Sequence, residues 1–142
     1  MIRTMKRIEE ELFFLSGLAG SPLIKTVYIG GGTPTILPPS LAERLFTAIR
    51  VVCGGETPEE WTIEANPETL TAGFLRLCEE GGVTRLSLGI QSSHDHLLAF
   101  LGRRARNADI KRAAALVALE WSGEVSIDLI AGIPGQTTGM LK

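Results

Sequence analysis

The sequence has few of the features that mark several protein classes. Its 142 residues include only two cysteines and no C-x-x-C pair, which excludes the usual zinc and dithiol motifs. Fourteen basic and sixteen acidic side chains give a formal net charge of −2, so no electrostatic surface for nucleic acid or a membrane is indicated. No apolar run reaches the ~18 residues of a membrane-spanning helix, and the N-terminus lacks the pattern of a signal peptide. We therefore expect a cytosolic protein that binds no nucleic acid.

The composition is that of an ordinary globular domain, with 44% hydrophobic and 21% charged residues. Apolar residues spaced three or four apart predict helices at 1–16, 40–52, 72–82 and 94–121. Gly17, Gly20 and Pro22 are expected to break the first helix, and the last helical region is expected to break near Gly102. Ser40 followed by Glu43 predicts a capping box at the start of the second helix.

Short apolar runs rich in β-branched residues predict strands at 24–29, 61–67, 83–91 and 124–133. Strands and helices therefore alternate along the chain, a pattern typical of βαβ units with right-handed crossovers. The sequence predicts an α/β fold with a parallel sheet.

Polar residues follow or end each predicted strand. The first runs into Gly30–Thr33, the second carries Glu64 and Asn66, the third ends at Gln91, and the fourth carries Asp128. In parallel sheets and barrels, ligands bind at the carboxyl ends of the strands because the βα loops converge there. A buried carboxylate needs a partner or a wet cavity, so these positions predict either ion pairs or a binding site.

The stretch TVYIGGGTPT, residues 26–35, places three glycines directly after a strand. Glycine loses more conformational entropy on folding than any other residue, so a triple glycine is unfavourable unless the backbone turns sharply or a ligand approaches it closely. Both explanations are open on the residues alone.

Five segments, in this order, carry a resemblance to a known family: GGGTPT, IEANP, RLSLGIQS, LGR and IDLIAGIPGQT. Together they resemble the radical S-adenosylmethionine proteins related to oxygen-independent coproporphyrinogen III oxidase, and IEANP and GIQS look more like the branch that contains the heme chaperones. The resemblance runs from about residue 5 to the C-terminus. It implies a partial parallel (β/α) barrel of about four βα units that belongs to a radical SAM core.

The resemblance also implies the ligands. The residues it assigns to S-adenosylmethionine are Gly31, Gly32, Thr33, Glu64, Gln91, Arg103 and Asp128. Of these, Glu64 suits the ammonium group of the ligand and Arg103 its carboxylate. The implied chemistry is reductive cleavage of S-adenosylmethionine by a [4Fe–4S] cluster to give a deoxyadenosyl radical. That chemistry requires an electron donor, and porphyrin or heme is the implied partner of the full-length protein.

One departure from the family is decisive. The family holds its cluster with a C-x-x-x-C-x-x-C motif after the first barrel strand, and this sequence has no such motif. Cys53 and Cys78 fall on predicted helices at the wrong spacing, so no metal ligand is assigned. We expect residues 1–142 to be an incomplete radical SAM core, without the first strand, its cluster loop and the C-terminal part, and to be inactive alone. Ala105 and Ala131 replace residues frequent in the family, which leaves the substrate open.

Three functional readings follow: a radical SAM protein of porphyrin or heme metabolism, a chaperone that binds and delivers heme, and an inactive truncated relic. His94 and His96 are candidate heme ligands, but a spacing of two is expected to place them on different sides of a helix start. A solvated or capping role is the simpler reading for both. The basic cluster from Arg103 to Arg112 suggests either an anionic partner or a solvated helix start.

Overall fold

The computed structural model describes residues 1–18 and 23–141. Of the predicted helix breakers, Gly20 and Pro22 lie outside these ranges. The prediction for Gly17 is wrong, because the first helix continues through it to Leu18. Helices and strands alternate along the described chain, as the sequence predicts. The helices are α1 (Ile2–Leu18), α2 (Pro39–Val52), α3 (Ala72–Gly81), α4 (Asp95–Phe100) and α5 (Asn107–Glu120). The strands are β1 (Thr26–Ile29), β2 (Glu60–Ala65), β3 (Arg85–Gln91) and β4 (Glu124–Leu129).

The four strands form one parallel sheet whose spatial order is the chain order β1-β2-β3-β4. The register places Glu64 beside Ser87, and Gly89 beside Asp128. The α/β prediction is confirmed. Because neither β1 nor β4 has a second neighbour among the described residues, the two strands form the edges of the sheet.

The two faces of the sheet differ in character. On one face, Trp61 and Ile63 of β2 and Leu86 of β3 are fully buried against the helices. Phe46 of α2 meets Trp61 edge-on with ring centroids 5.7 Å apart, an arrangement that aromatic pairs favour. Residues one position away along each strand, such as Glu64 of β2, point to the opposite face. We call this second, polar face the open face, because the core of the described residues lies entirely on the helix side.

The helix ends show which local predictions were correct. Thr71 caps α3 by accepting a hydrogen bond from the Phe74 amide at 3.2 Å, and Gly82 closes it with φ +95. The capping box predicted from Ser40 and Glu43 is wrong. The chain enters α2 through Pro38, and Pro39 takes the first helical position, where its missing N–H and fixed φ are favourable.

Two further boundaries refine the predictions. The helical region 94–121 breaks as expected, with Gly102 at φ +68 between α4 and α5. β4 is shorter than the predicted strand 124–133, because the chain turns at Gly132 and Gly135, both at positive φ. No helix in the described ranges is long and apolar enough to cross a membrane.

Candidate functional site

The glycine loop that follows β1 contains two different kinds of glycine. Gly31 and Gly32 adopt φ of +81 and +91, in the left-handed region where a side chain is strained, and an added Cβ would meet nothing within 4 Å. Gly30 has the opposite constraint. A Cβ there would lie 2.8 Å from both Glu64 Cδ and Tyr28 Cε1. The loop therefore needs glycine once for close packing and twice for backbone shape.

Glu64 ties this loop to the open face. Its Oε2 accepts a hydrogen bond from the Gly31 amide at 3.2 Å, and its Oε1 accepts one from the Tyr28 hydroxyl at 3.0 Å. One carboxylate therefore joins β1, β2 and the glycine loop. Hydrogen bonds to a carboxylate are stronger than those between neutral groups, so Glu64 organises its surroundings.

Tyr28 shows how the polar groups of the open face act on one another. Its pKa is raised above 10.0, first by the hydrogen bond to Glu64, then by burial and by the negative charge of Glu64. The charge of Asp128 raises the pKa further, while a hydrogen bond involving Ser87 lowers it. Side chains from all four strands thus lie close enough to interact around the Tyr28 hydroxyl.

Asp128 lies in the same array. Its Oδ2 accepts a hydrogen bond from the Ser87 hydroxyl at 3.0 Å, between β4 and β3. Of the residues that the resemblance assigned, the structure joins Gly31 directly to Glu64. It places Asp128 two strands away on the same face, beside Gly89 in the sheet register.

Thr33 is held by the loop that follows β2, residues 66–71, which we call the β2 loop. The side-chain amide of Asn66 donates to Thr33 Oγ1 at 3.1 Å. The hydroxyls of Thr35 and Thr69 are hydrogen-bonded to each other. The β2 loop and the glycine loop are thereby linked at two points. Asn66 follows Glu64 by two residues, so one short segment supports both ends of the glycine loop.

Arg112 of α5 fixes the β2 loop through hydrogen bonds to its backbone carbonyls. Its guanidinium donates to the carbonyl oxygens of Leu70 at 3.1 Å, Pro67 at 3.0 Å and Glu68 at 3.4 Å. Asp109 lies 3.4 Å away and partly balances the charge. The fan of guanidinium donors suits three neighbouring carbonyls, which the single ammonium of lysine would satisfy less well. For Arg112, the structure therefore shows a structural role rather than the free basic surface considered from sequence.

Gln91 ends β3 in a strained conformation. It has φ +65, a positive value shared by no other non-glycine residue in the described ranges. The Ser92 amide donates to the Ile90 carbonyl at 2.8 Å across it, which makes a tight three-residue turn. Such strain of about 1–3 kcal/mol persists where the surroundings enforce it, frequently at binding sites.

Arg103 stands apart from the other assigned residues. It follows Gly102 and is half-buried, and its backbone amide donates to the Leu98 carbonyl at 2.9 Å. Within residues 1–18 and 23–141, its guanidinium makes no hydrogen bond or ion pair. The structure therefore does not join Arg103 to Glu64 or Asp128.

Three contributors to this region were missed from sequence: Tyr28, Ser87 and Arg112. For two of them a signal existed. Tyr28 precedes Gly30 by two residues and Ser87 precedes Gly89 by two, so strand alternation places both on the face of the site. The role of Arg112 depends on how α5 packs, which periodicity does not reveal.

The cysteines lie on the helix side of the sheet. Cys78 of α3 is fully buried, and burial raises the pKa of its thiol to about 12. Cys53, at the end of α2, is half-buried, and burial raises its thiol pKa as well. In the part of the chain that the structure describes, no three His, Cys, Asp or Glu side chains are grouped to hold a metal ion. These residues do not fit an iron–sulfur cluster, which requires converging thiolates.

The expected separation of the two histidine side chains was wrong, although both residues are at least partly exposed. The rings of His94 and His96 lie on the same side, with centroids 5.9 Å apart and planes at 74°. His94 precedes α4 in an extended conformation, so the helical angle between residues two apart does not apply to this pair. The His94 side chain, at the N-cap position, makes no capping hydrogen bond to the helix.

The fold and this site define a class of protein: a parallel α/β domain whose strand ends present a glycine loop and carboxylates on one uncovered face. The family model of the Radical SAM superfamily matches residues 2–142, and the chain belongs to that superfamily.

The comparisons with individual proteins refine this assignment. The chain is 36% identical over 139 residues to the heme chaperone HemW of Bacillus subtilis, covering 97% of this chain and 37% of that protein. It is 40% identical over 118 residues to the heme chaperone HemW of Synechocystis, covering 83% and 28%. The chain thus spans about a third of the length of these relatives. The resemblance stated from sequence is confirmed.

A solved structure agrees with the fold. The coproporphyrinogen III oxidase HemN of Escherichia coli, described as a radical SAM enzyme, superposes with a TM-score of 0.81 at 26% identity. The alignment covers 94% of this chain and 31% of that protein. The parallel sheet described above therefore corresponds to part of a radical SAM core.

Proposed function

We propose that this domain binds S-adenosylmethionine on the open face, at the carboxyl ends of β1 to β4. The carrying observation is the carboxylate of Glu64 held against the glycine loop by the Gly31 amide at 3.2 Å. A carboxylate beside a loop without side chains suits a ligand that presents an ammonium group and contacts backbone.

The proposed contacts use the remaining assigned residues. Gly31, Gly32 and Thr33 line the amino-acid end of the ligand, and Glu64 pairs with its ammonium group. Arg103 is half-buried and has a guanidinium available for the ligand carboxylate. Gln91 and Asp128 are proposed to meet its hydroxyl and amino groups. When bound beside a reduced [4Fe–4S] cluster, S-adenosylmethionine supplies radical chemistry, which the cofactors rather than side chains carry out.

The cluster itself does not fit the described residues, since both cysteines belong to the helix layer and one is fully buried. We propose that its ligands and the electron donor that reduces it lie outside residues 1–142. On this proposal, residues 1–142 bind the ligand and carry out no cleavage alone.

For the larger protein we propose heme or porphyrin as the partner, within a radical SAM protein of porphyrin and heme metabolism. The identities favour heme delivery over oxidation. The relatives that are 36% and 40% identical are named heme chaperones, whereas the coproporphyrinogen III oxidase structure is 26% identical. This point is tested by titrating heme into the full-length protein that contains residues 1–142. A Soret shift is expected, and its absence would remove the chaperone proposal.

Calorimetric titration of the domain with S-adenosylmethionine tests the central proposal. Glu64→Gln and Asp128→Asn should each bind about tenfold more weakly or worse, because each loses a charge-assisted hydrogen bond. Glu60→Gln is the matched control. Glu60 lies on the same strand and the same face but is paired with Arg85 at 3.2 Å. Unchanged affinity in Glu64→Gln, or equal weakening in Glu60→Gln, would overturn the assignment.

A further inference from the structure

The start of α4 holds a histidine pair that the proposed function does not use: His94 directly precedes the helix and His96 lies in its first turn. The rings of His94 and His96 have centroids 5.9 Å apart, and both side chains are at least partly exposed. We propose that these two residues form a bidentate site for a divalent d-block cation such as Cu²⁺, Ni²⁺ or Zn²⁺. The site is independent of the S-adenosylmethionine proposal.

The ring separation fits a shared ion. A zinc–nitrogen bond of about 2 Å places the ion roughly 3 Å from the centre of the imidazole ring. Two rings that share one ion therefore have centroids no more than about 6.5 Å apart. The observed 5.9 Å lies inside this limit, so the two rings are close enough to share one ion after their side chains rotate.

The hydrogen bond made by His94 leaves the appropriate nitrogen available. Its Nδ1 lies 3.2 Å from Ser93 Oγ. When Nδ1 carries the proton and donates to the hydroxyl, the lone pair is on Nε2, which is then free to bind an ion. Metal-binding histidines commonly have their second nitrogen held in this way, which fixes the tautomer and the ring orientation.

The segment that carries the pair is anchored to α5. The Asn107 side chain donates to the Ser93 carbonyl at 2.6 Å, and its backbone amide donates to Asp95 Oδ1 at 2.7 Å. The residues on either side of His94 are thereby fixed before a cation arrives, which lowers the entropy lost on binding. Asp95, between the two histidines in sequence, adds a negative charge close to the site.

The ligand type selects the class of ion. Imidazole suits zinc, copper and nickel, whereas magnesium and calcium prefer oxygen ligands. Copper is expected to bind most tightly, since it heads the usual order of divalent affinities. With two protein ligands, the remaining coordination positions are filled by water, so the ion is exchangeable rather than structural.

The test is direct because the sequence contains two histidines in total, and both are in the pair. An untagged chain is titrated with Cu²⁺ alone by calorimetry, and the complex is examined by electron paramagnetic resonance for hyperfine coupling to two nitrogens. We expect one ion per chain. His94→Ala and His96→Ala should each weaken binding about 10²-fold, since each removes the second, intramolecular contact. The double variant should lose the site.

Two controls keep the result decisive. Cys53→Ser should bind as the wild type does, which separates the pair from thiol binding. Circular dichroism should show every variant folded, because the histidines are outside the core. Full affinity in either single histidine variant, or coupling to one nitrogen only in the wild type, would overturn the proposal.

Discussion

Tyr28 of β1 and Glu64 of β2 are joined by a hydrogen bond of 3.0 Å that crosses the open face diagonally, since the sheet register places Thr62 rather than Glu64 beside Tyr28. The tyrosine is 61% exposed, yet its hydroxyl has a fixed partner. The same carboxylate holds the glycine loop, so the state of Tyr28 reports on the geometry of the site.

The ionisation of Tyr28 can be measured without ambiguity, because it is the single tyrosine of the chain. We expect the near-ultraviolet absorbance of tyrosinate to titrate with a midpoint above 10.0. Glu64→Gln should bring the midpoint down toward the ordinary value, and Asp128→Asn should lower it less. A midpoint that ignores Glu64→Gln would contradict the hydrogen bond.

The direction of the linked stability change follows from that raised pKa. A tyrosine with a higher pKa in the folded state keeps its proton longer there than in the unfolded chain. Its contribution to stability is therefore complete below pH 10 and declines as the pH rises through the folded-state pKa. Tyr28→Phe should remove this part of the alkaline decline in a denaturant series at several pH values.

Gly30→Ala tests the packing of the glycine loop on Glu64. The new Cβ would lie 2.8 Å from Glu64 Cδ and Tyr28 Cε1, so both side chains must move. We expect unfolding by urea to show a loss of about 1–3 kcal/mol, the usual range for overpacking. Gly73→Ala is the control. It lies inside α3 with open space around it, so it should gain about 0.5–1 kcal/mol. Equal stability of the two variants would refute the packing account.

Arg112→Gln tests the anchoring of the β2 loop. Three carbonyl oxygens would lose a charged donor, and we expect a loss of about 1–3 kcal/mol together with faster proteolysis in residues 67–70. Arg112→Lys should recover only part of this, since one ammonium group does not reach the same three acceptors equally well. Lys111→Gln, an exposed neighbour, should change neither quantity. A similar loss in Lys111→Gln would mean that charge, not anchoring, is responsible.

The two thiols should differ in reactivity. Cys78 is fully buried and its pKa is raised to about 12, so it is almost entirely neutral and shielded at pH 8. Cys53 is half-buried, so its thiol remains within reach of a disulfide reagent. We expect about one thiol per native chain to react on the experimental timescale and two in denaturant. The count is supported if native wild type and native Cys78→Ser each show one fast-reacting thiol. Two fast-reacting thiols in the native wild type would contradict it.

Much of this molecule could be predicted from sequence because its signals are local. Apolar runs predict the strands and apolar stripes predict the helices. Because strands and helices alternate along the chain, a parallel sheet is predicted. The position of Glu64 beside the glycine loop also followed from the rule that strand ends converge. The start of α2 could not be read from Ser40 and Glu43, since two prolines compete for the same helix terminus.

The features that escaped prediction depend on long-range geometry. Arg112 contacts a loop more than 40 residues earlier in the chain, and the periodicity of α5 does not predict this contact. The His94 and His96 rings lie close together because the backbone before α4 is extended. A helical projection assumes helical backbone at both residues and therefore predicts that the rings are separated. Arg103, by contrast, was assigned through the family resemblance, and its role stays a prediction.

The match between spatial order and chain order of the strands has a consequence for how the chain is made. Each strand docks beside the strand synthesised before it, so no strand has to wait for a distant C-terminal partner. Paired residues of neighbouring strands lie between 23 and 39 positions apart, as in Thr62 with Arg85 and Arg85 with Glu124. As the chain leaves the ribosome from its N-terminus, β1 and β2 with α2 can assemble while later residues are still being translated. The sheet can thus grow at one edge at the pace of translation.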